Sequence, residues 1–242
     1  MAGSSLPVAR RLPSIDLPWQ ADVEETIGVW AGGIDGGDIH VLEAMQSIVE
    51  RRQGGETGIR AVQALRGDQF WAALQAGSWE AGGWDRQLLE AALSRSNMIS
   101  PVRENYGVVL PSMDDIRRMA PNSYAYRFEY VDGMKATIVQ LQGGQGVVGD
   151  CTVAARLKGG DVLSTLIYLP YYAMRNFFNP QVHHIESLFL TDKSPYPVER
   201  TLLTTGMTAA GIESLFQNQK RLETPHLDVR YQSTPESTFW RT

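Results

Sequence analysis

The chain of 242 residues has one cysteine, Cys151, and lacks any apolar run of the roughly 18 residues that crossing a bilayer requires. A single cysteine excludes an intramolecular disulfide and a thiolate zinc cluster. The net charge of -5, from 22 Lys and Arg against 27 Asp and Glu, comes without a basic cluster and excludes a broadly basic nucleic-acid binder. These absences favour a soluble protein of a reducing compartment, which we expect to be the cytoplasm.

The N-terminal segment also lacks the features of a signal peptide. Its basic pair follows the apolar residues instead of preceding them, and three prolines interrupt it. Because it has little periodicity, residues 1–21 are expected to form an extended arm. Residues 22–242 are expected to form a single domain, since 43% hydrophobic residues are enough for a sizeable core.

Apolar residues at helical spacing predict helices on both sides of a strand-rich middle third. Before that middle third, β-branched residues predict strands over 22–30 and 58–65. The helices are predicted over residues 38–52, as two short helices within 67–97, and over 112–119, 180–190 and 198–219.

The middle third is predicted to be two β-hairpins. The first joins its strands at Asp132-Gly133, the strongest turn signal in the chain. The second pairs residues 150–157 with 162–169, and a last strand is expected over 226–231. Since strands and helices come in blocks, the predicted fold class is α+β, with an open antiparallel sheet and helices packed on one face. We expect the other face to meet a second copy, so the protein would be a homo-oligomer.

A glycine-rich string at residues 144–149 (GQGVVG) satisfies the G-x-G-x-x-G pattern of dinucleotide sites. Such a site needs a helix next, because the pyrophosphate lies on the free N–H groups of a helix N-terminus. The residues that follow alternate as in a strand, and the strand before them already belongs to a hairpin. A turn within the sheet is favoured, and a nucleotide loop is the alternative.

His40 is the candidate catalytic residue. It lies in the first turn of the predicted helix, with Asp38 as the expected N-cap, just after the glycine-rich residues 32–37. Glycines there would let the backbone approach a ligand closely. With Asp35 and Asp38 nearby as candidate substrate-binding residues, His40 could act as a general acid or base. The alternative is a solvent-facing or capping histidine.

His183 and Arg200 are two further candidates for substrate binding, and both lie in the C-terminal part of the chain. His183 and Glu186 share one helix face, but His183 and His184 point about 100° apart, so the string HHIE does not make a metal site. Arg200 is at the start of the long C-terminal helix. Structural hydrogen bonding and helix capping are the alternatives for these residues, and no metal is predicted.

Five strings in this order resemble the C-terminal domain of the Gfo/Idh/MocA oxidoreductases, most closely an uncharacterised bacterial branch. They are residues 36–45 (GGDIHVLEAM), 50–58 (ERRQGGETG), 178–180 (FNP), 183–186 (HHIE) and 195–206 (PYPVERTLLTTG).

The resemblance implies a substrate and oligomerisation domain whose partner, an N-terminal Rossmann domain, holds NAD(P). The chain has neither a Rossmann fingerprint at its N-terminus nor the Glu-Lys-Pro string that supplies the family's lysine, and residues 1–7 resemble the inter-domain crossover. No cofactor bound by the chain alone is therefore expected. By resemblance His40 faces a sugar-like substrate, whereas the family's usual aspartate is Gly36 here, with Asp35 one residue away.

Three hypotheses follow about function. In the first, the chain is a sugar- or polyol-binding and oligomerisation domain of a truncated oxidoreductase, without redox activity of its own. In the second, it completes an active enzyme together with a separate Rossmann domain. The third is a non-catalytic scaffold or binding protein. None of the three requires nucleic acid or a membrane.

Overall fold

The computed structural model describes residues 2–102, 107, 109–143, 146–170 and 176–241. These residues form one sheet and the helices that pack on it. The strands are β1 (Arg11–Leu12), β2 (Val23–Trp30), β3 (Ile59–Arg66), β4 (Tyr124–Tyr130), β5 (Lys135–Gln140), β6 (Cys151–Leu157), β7 (Val162–Ile167) and β8 (Leu222–Glu223). The helices are α1 (Gly36–Val49), α2 (Asp68–Ala76), α3 (Arg86–Leu93), α4 (Met113–Met119), α5 (Asn179–Thr191) and α6 (Glu199–Phe216).

The eight strands form an open sheet in the order β1-β7-β6-β2-β5-β4-β3-β8. The two predicted hairpins are present, as β4 with β5 and as β6 with β7. Between them lies β2, which is antiparallel to β6 and parallel to β5. The predicted α+β class with an open sheet is confirmed, although the expected all-antiparallel pairing fails at this one parallel pair.

The first face of the sheet is covered by α1 and α6. Helix α1 comes so close to β2 that a Cβ on Gly28 would lie 2.7 Å from a methyl carbon of Val41. Inward-facing aromatic and aliphatic side chains such as Tyr126, Phe128 and Met45 fill the space between helices and strands and are completely buried. This layer holds α1 at a fixed height above the sheet.

The second face carries α2, α3 and α4, so the expectation of helices on one face was wrong. Val29 and Val139 point to this side and pack in one cluster with Phe70, Trp84 and Leu88, all of which are 1% exposed or less. The strands are apolar on both sides over half of their length, and such strands require cover on both faces.

The N-terminal arm is part of the sheet edge. Residues Leu6–Val8 form a 3₁₀ turn against α1, and β1 pairs with β7 in antiparallel register. The buried Arg11 guanidinium donates a 2.7 Å hydrogen bond to the Asp16 carboxylate. The arm is therefore packed against β7 and α1.

The strand predicted over 226–231 was wrong. Residues Pro225–Leu227 form a 3₁₀ turn, and of the predicted stretch only Tyr231 makes a β-bridge, to Glu56. Proline lacks the N–H that a ladder needs, and the Leu227 N–H donates instead to the Thr224 carbonyl oxygen.

In the glycine-rich string of residues 144–149, Gly144 and Gln145 lie outside the described residues. The residues after it form β6, which is antiparallel to both of its neighbours, as the strand interpretation predicted. No helix in the described part of the chain is long and apolar enough to cross a membrane.

Candidate functional site

Three strand ends meet the N-terminus of α1 on the first face of the sheet. Trp30, at the end of β2, is in register with Gln140 at the end of β5, and Gln140 is in register with Tyr124 at the start of β4. Because these positions lie on one edge of the sheet, their side chains converge below the first turn of the helix. The candidate site is this cluster together with residues 32–40.

Asp38 is the centre of the cluster and is completely buried. Its carboxylate accepts hydrogen bonds from the Tyr124 hydroxyl at 2.7 Å, from Gln140 Nε2 at 3.1 Å and from the Asp35 N–H at 3.0 Å. Gln140 Oε1 in turn accepts from the Gly32 N–H at 2.8 Å. One carboxylate and one amide thus fix the start of the helix and the glycine turn before it.

Burial dominates the electrostatics of this cluster. It raises the pKa of Asp38, although the hydrogen bonds from Tyr124, the Asp35 backbone and Gln140 oppose the shift. Burial and the nearby Asp38 carboxylate raise the pKa values of Tyr124 and Tyr126. The two tyrosines are therefore neutral at physiological pH, and Tyr124 is the one that donates to Asp38.

His40 lies one helical turn beyond the N-cap, and its ring is half-buried. Its Nδ1 atom is buried and has no hydrogen-bond partner among the described residues. The Trp30 ring lies beside it, with the ring centroids 5.9 Å apart. A ligand hydroxyl cannot reach this enclosed atom; the ring nitrogen open to one is Nε2, which makes no hydrogen bond within the described residues.

The four glycines around this turn divide into two pairs. Gly32 and Gly37 pack against each other, since a Cβ on Gly32 would lie 2.6 Å from the Gly37 Cα. A Cβ on Gly33 or Gly36 would meet nothing within 4 Å, and neither residue has a positive φ. Nothing inside the described fold requires glycine at these two exposed positions.

Of the residues predicted from the sequence, Asp35, Asp38 and His40 come together. Asp35, rather than Asp38, is the N-cap of α1, with a φ of 71° and an exposed side chain. His183 lies on α5, where its ring packs edge-on against Trp240 at 5.8 Å. Arg200 lies on α6, in a different part of the first face. These two do not join the His40 cluster.

Arg200 is in the core and is only 2% exposed. Its Nε donates a 2.8 Å hydrogen bond to the buried Glu50 carboxylate, which also accepts from the hydroxyls of Tyr231 and Ser233, both at 2.9 Å. Arg200 thus connects α6 to α1 and to the C-terminal segment. This arrangement favours a structural role over the predicted contact with substrate.

Sequence reasoning missed Tyr124, Gln140 and Trp30. The first two are 86 and 102 residues away from Asp38 along the chain, so no local spacing relates them to it. Their one visible signal is that polar groups occupy inward-facing positions in strands that are otherwise apolar on that face.

Two kinds of site can be compared with the described residues: a metal site and the dinucleotide loop suggested by the glycine-rich string. Among them, no group of three His, Cys, Asp or Glu side chains is close enough together to hold a metal ion. The described part of the glycine-rich string leads into the antiparallel strand β6, and not into a helix whose N-terminus could receive a pyrophosphate. The described residues of this string therefore lack the helix N-terminus on which a pyrophosphate lies.

No protein-family model matches the chain, and no curated protein matches it. Solved structures that resemble it include a probable dehydrogenase from Thermotoga maritima, with a TM-score of 0.48, 10% identity, and coverage of 87% of this chain and 59% of that one. A myo-inositol 2-dehydrogenase from Lactobacillus plantarum has a TM-score of 0.47 and 10% identity, with coverage of 84% and 57%.

A scyllo-inositol dehydrogenase from Lactobacillus casei, solved with NAD(H) and scyllo-inositol, has a TM-score of 0.46, 12% identity, and coverage of 84% of this chain and 57% of that one. These structures are Gfo/Idh/MocA-type dehydrogenases, the family that the sequence strings resemble. The chain spans less than two thirds of the length of each. With TM-scores below 0.5, the likeness does not extend to activity.

Proposed function

We propose that the chain is the substrate-binding half of a sugar or polyol oxidoreductase and has no redox activity by itself. The observation that carries this proposal is the half-buried His40 ring, whose Nε2 makes no hydrogen bond within the described residues. The ring lies beside the Trp30 indole and above a turn in which Gly33 and Gly36 expose bare backbone.

These features suit a ring that bears several hydroxyl groups. An indole face packs against the C–H groups of such a ring, while a few convergent polar groups orient its hydroxyls. The bare backbone at Gly33 and Gly36 allows the ligand to approach without contact with a side chain. In this proposal the exposed Asp35 carboxylate accepts a hydrogen bond from a second hydroxyl.

In this proposal His40 is the general base, and in the reverse direction the general acid, for the reacting hydroxyl group. A neutral imidazole nitrogen accepts the proton while the hydroxyl oxygen becomes a carbonyl oxygen, and it returns the proton in the reverse direction. Asp38 acts through position only, because its carboxylate is buried and engaged by three donors. It fixes the helix turn on which His40 stands.

The hydride acceptor is proposed to be NAD(P) held by a separate nucleotide-binding domain. Fluorescence titration of the purified chain with NADH and NADPH tests this part. We expect no saturable binding at micromolar concentration, and tight binding would contradict the need for a second domain.

Substrate binding is tested by titrating the chain with myo-inositol, scyllo-inositol and a panel of monosaccharides, monitored by ligand-observed NMR. We expect saturable binding of at least one polyol, and His40→Ala should weaken it by roughly tenfold, as expected for one buried hydrogen bond. His226→Ala, at an exposed histidine remote in sequence, is the matched control and should bind like the unmodified chain.

A second candidate is a non-catalytic scaffold or binding protein. The Asp38 carboxylate accepts its hydrogen bonds from protein donors. This favours the scaffold function, because a residue that only caps the helix would make the same bonds. If no member of the panel binds, and if His40→Ala changes neither stability nor assembly, the scaffold function is supported and the polyol site is not.

A further inference from the structure

A cavity of about 70 Å³, at the bottom of an open depression of about 390 Å³, lies away from the His40 cluster. It is bounded by the residues after β7, by the beginning of α5 and by the C-terminal segment. It shares no lining residue with the candidate polyol site. Its lining includes Arg10, Tyr168, Asn176, Phe177, Asn179 and Trp240.

Two opposite walls of the cavity are attached to the packed domain by backbone hydrogen bonds. The Tyr168 N–H donates to the Arg10 carbonyl oxygen at 2.8 Å, which continues the β1–β7 pairing. The Trp240 N–H donates to the Val8 carbonyl oxygen at 2.9 Å. The cavity is therefore largely preformed, as small-molecule sites usually are.

The polar side chains around the cavity lack partners within the described part of the chain. The Arg10 guanidinium makes no ion pair there, and the amides of Asn176 and Asn179 and the Tyr168 hydroxyl make no hydrogen bond there. Arg10, Asn176 and Asn179 are exposed, so water satisfies their donors when the cavity is empty, and a ligand rich in acceptors would replace that water.

The remaining wall surface is aromatic. Tyr168, Phe177 and Trp240 line it, and the His183 ring packs edge-on against Trp240 at 5.8 Å. Flat apolar faces together with amide and hydroxyl groups at the edges match a sugar ring, which has C–H faces and a polar rim.

The charge at the cavity indicates an anionic ligand. Arg10 contributes a positive charge, and no Asp or Glu is among the described residues that line the cavity. A guanidinium binds carboxylate or phosphate oxygens in a planar, two-pronged arrangement. We propose that this cavity binds a monosaccharide that carries a carboxylate or a phosphate group.

This assignment also accounts for two sequence features that the polyol site does not use. The string FNP at residues 178–180 places Asn179 at the mouth of the cavity as the first residue of α5. His183, predicted from the sequence as a substrate-binding residue, positions Trp240 rather than touching the polyol. The anionic-sugar cavity is thus independent of the proposed activity at His40.

The test is isothermal titration of the full chain with D-glucuronate and with glucose 6-phosphate, with glucose and inorganic phosphate as separate arms. We expect saturable binding of one of the two anionic sugars, at least tenfold tighter than glucose or inorganic phosphate. Arg10→Met should weaken that binding about tenfold or more, the loss of one charge-assisted hydrogen bond. Trp240→Leu should weaken it as well.

Two control variants show whether the binding belongs to this cavity. Arg230→Met removes an exposed arginine elsewhere, and His40→Ala removes the polyol candidate; neither should change the binding of the anionic sugar. Equal binding of inorganic phosphate and sugar phosphate would overturn the sugar assignment. No saturable binding of either anionic sugar by a chain that unfolds cooperatively would overturn the site.

Discussion

At the scale of single residues, the most informative side chain is Arg200, because sequence and structure suggest different roles for it. We expect Arg200→Met to lower the free energy of unfolding by about 3 kcal/mol or more, since the Glu50 carboxylate would remain buried without its cation. Urea denaturation measures this. A loss of ligand binding with unchanged stability would instead favour the predicted contact with substrate.

Arg221→Met is the matched control for that variant. Arg221 also pairs with carboxylates, those of Glu129 and Glu223, but it is 40% exposed. Exposed pairs contribute at most about 1 kcal/mol, because water competes for both charges. We therefore expect a small change, and a loss as large as that of Arg200→Met would contradict the assignment of the Arg200 effect to burial.

The glycines of the turn before α1 provide a second prediction. Gly33→Ala and Gly36→Ala should leave stability unchanged or raise it slightly, because the new Cβ meets no atom and the alanine restricts the unfolded chain. The same variants should weaken polyol binding if the bare backbone faces the ligand. Thermal unfolding and the NMR titration measure the two effects.

Gly32→Ala is the control, because its Cβ would lie 2.6 Å from the Gly37 Cα. We expect it to lower the free energy of unfolding by about 1 kcal/mol or more through overpacking. Unchanged polyol binding in both Gly33→Ala and Gly36→Ala would show that the exposed backbone is not part of the ligand surface.

The candidate site could be predicted from the sequence only in its local part. His40, Asp35 and Asp38 lie within six residues, and glycines before a helix are visible by inspection. The partners of Asp38 and of Arg200 come from other segments, and Glu50 is 150 residues before Arg200. A single sequence does not reveal which inward-facing polar groups will meet across a sheet.

At the scale of elements, the second face of the sheet divides into an apolar half under the helices and a charged row. In that row Glu25 on β2 is opposite Lys135 on β5 and Arg156 on β6, and the Asp85 N–H donates to the Glu25 carboxylate at 2.9 Å. Burial, together with the nearby Asp85 and Glu80 carboxylates, raises the pKa of Glu25 to about 7.

This shift predicts a pH-dependent stability. Between about pH 4.5 and 7 the folded state binds a proton at Glu25 that the unfolded state has released, so the free energy of unfolding falls as pH rises. Glu25→Gln removes this titrating group. Across the same pH range, its free energy of unfolding should therefore decrease by roughly 1–3 kcal/mol less than that of the unmodified chain. Urea denaturation at intervals across this range measures it.

Glu24→Gln is the matched control, since Glu24 is the exposed neighbour on the same strand. We expect its profile to follow that of the unmodified chain. The buried Asp38 contributes a trend of the same sign to both variants, so the difference between them isolates Glu25. Identical pH profiles for the two variants would contradict the shift.

Elements with a local signal were predicted well, and those that depend on distant partners were not. Both hairpins, and helices such as α3 with its Asp85 cap, form where turn residues and apolar spacing indicate them. The amphipathic stripes of α2 and α3 were visible, but not the side of the sheet on which they pack. The parallel contact of β2 with β5 had no sequence signal either.

At the scale of the whole molecule, we predict self-association. Large apolar side chains are exposed on α5 and α6: Phe189, Leu190 and Phe216 are each more than 80% exposed, and Pro180 is the one buried residue of α5 among those described. Exposed apolar surface of this kind favours association. Light scattering at micromolar concentration should give at least twice the monomer mass of 26.9 kDa.

The salt dependence of the molecular mass measured by light scattering shows whether the contact between copies of the chain is apolar or ionic. Because the expected open face of the sheet is covered by α2, α3 and α4, we expect an apolar contact, which high salt does not weaken. A monomer at micromolar concentration would contradict self-association. Dissociation at about 1 M salt would instead indicate the charged row on the second face.

The central position of β2 has a consequence for how the chain acquires its structure. Each hairpin closes from neighbouring segments, but the two become one sheet only through a strand that is synthesised long before either of them. Such long-range pairing slows folding. During synthesis on the ribosome, β2 therefore remains unpaired until β5 and β6 have been made. A chaperone that binds β2 during this interval would raise the yield of native protein.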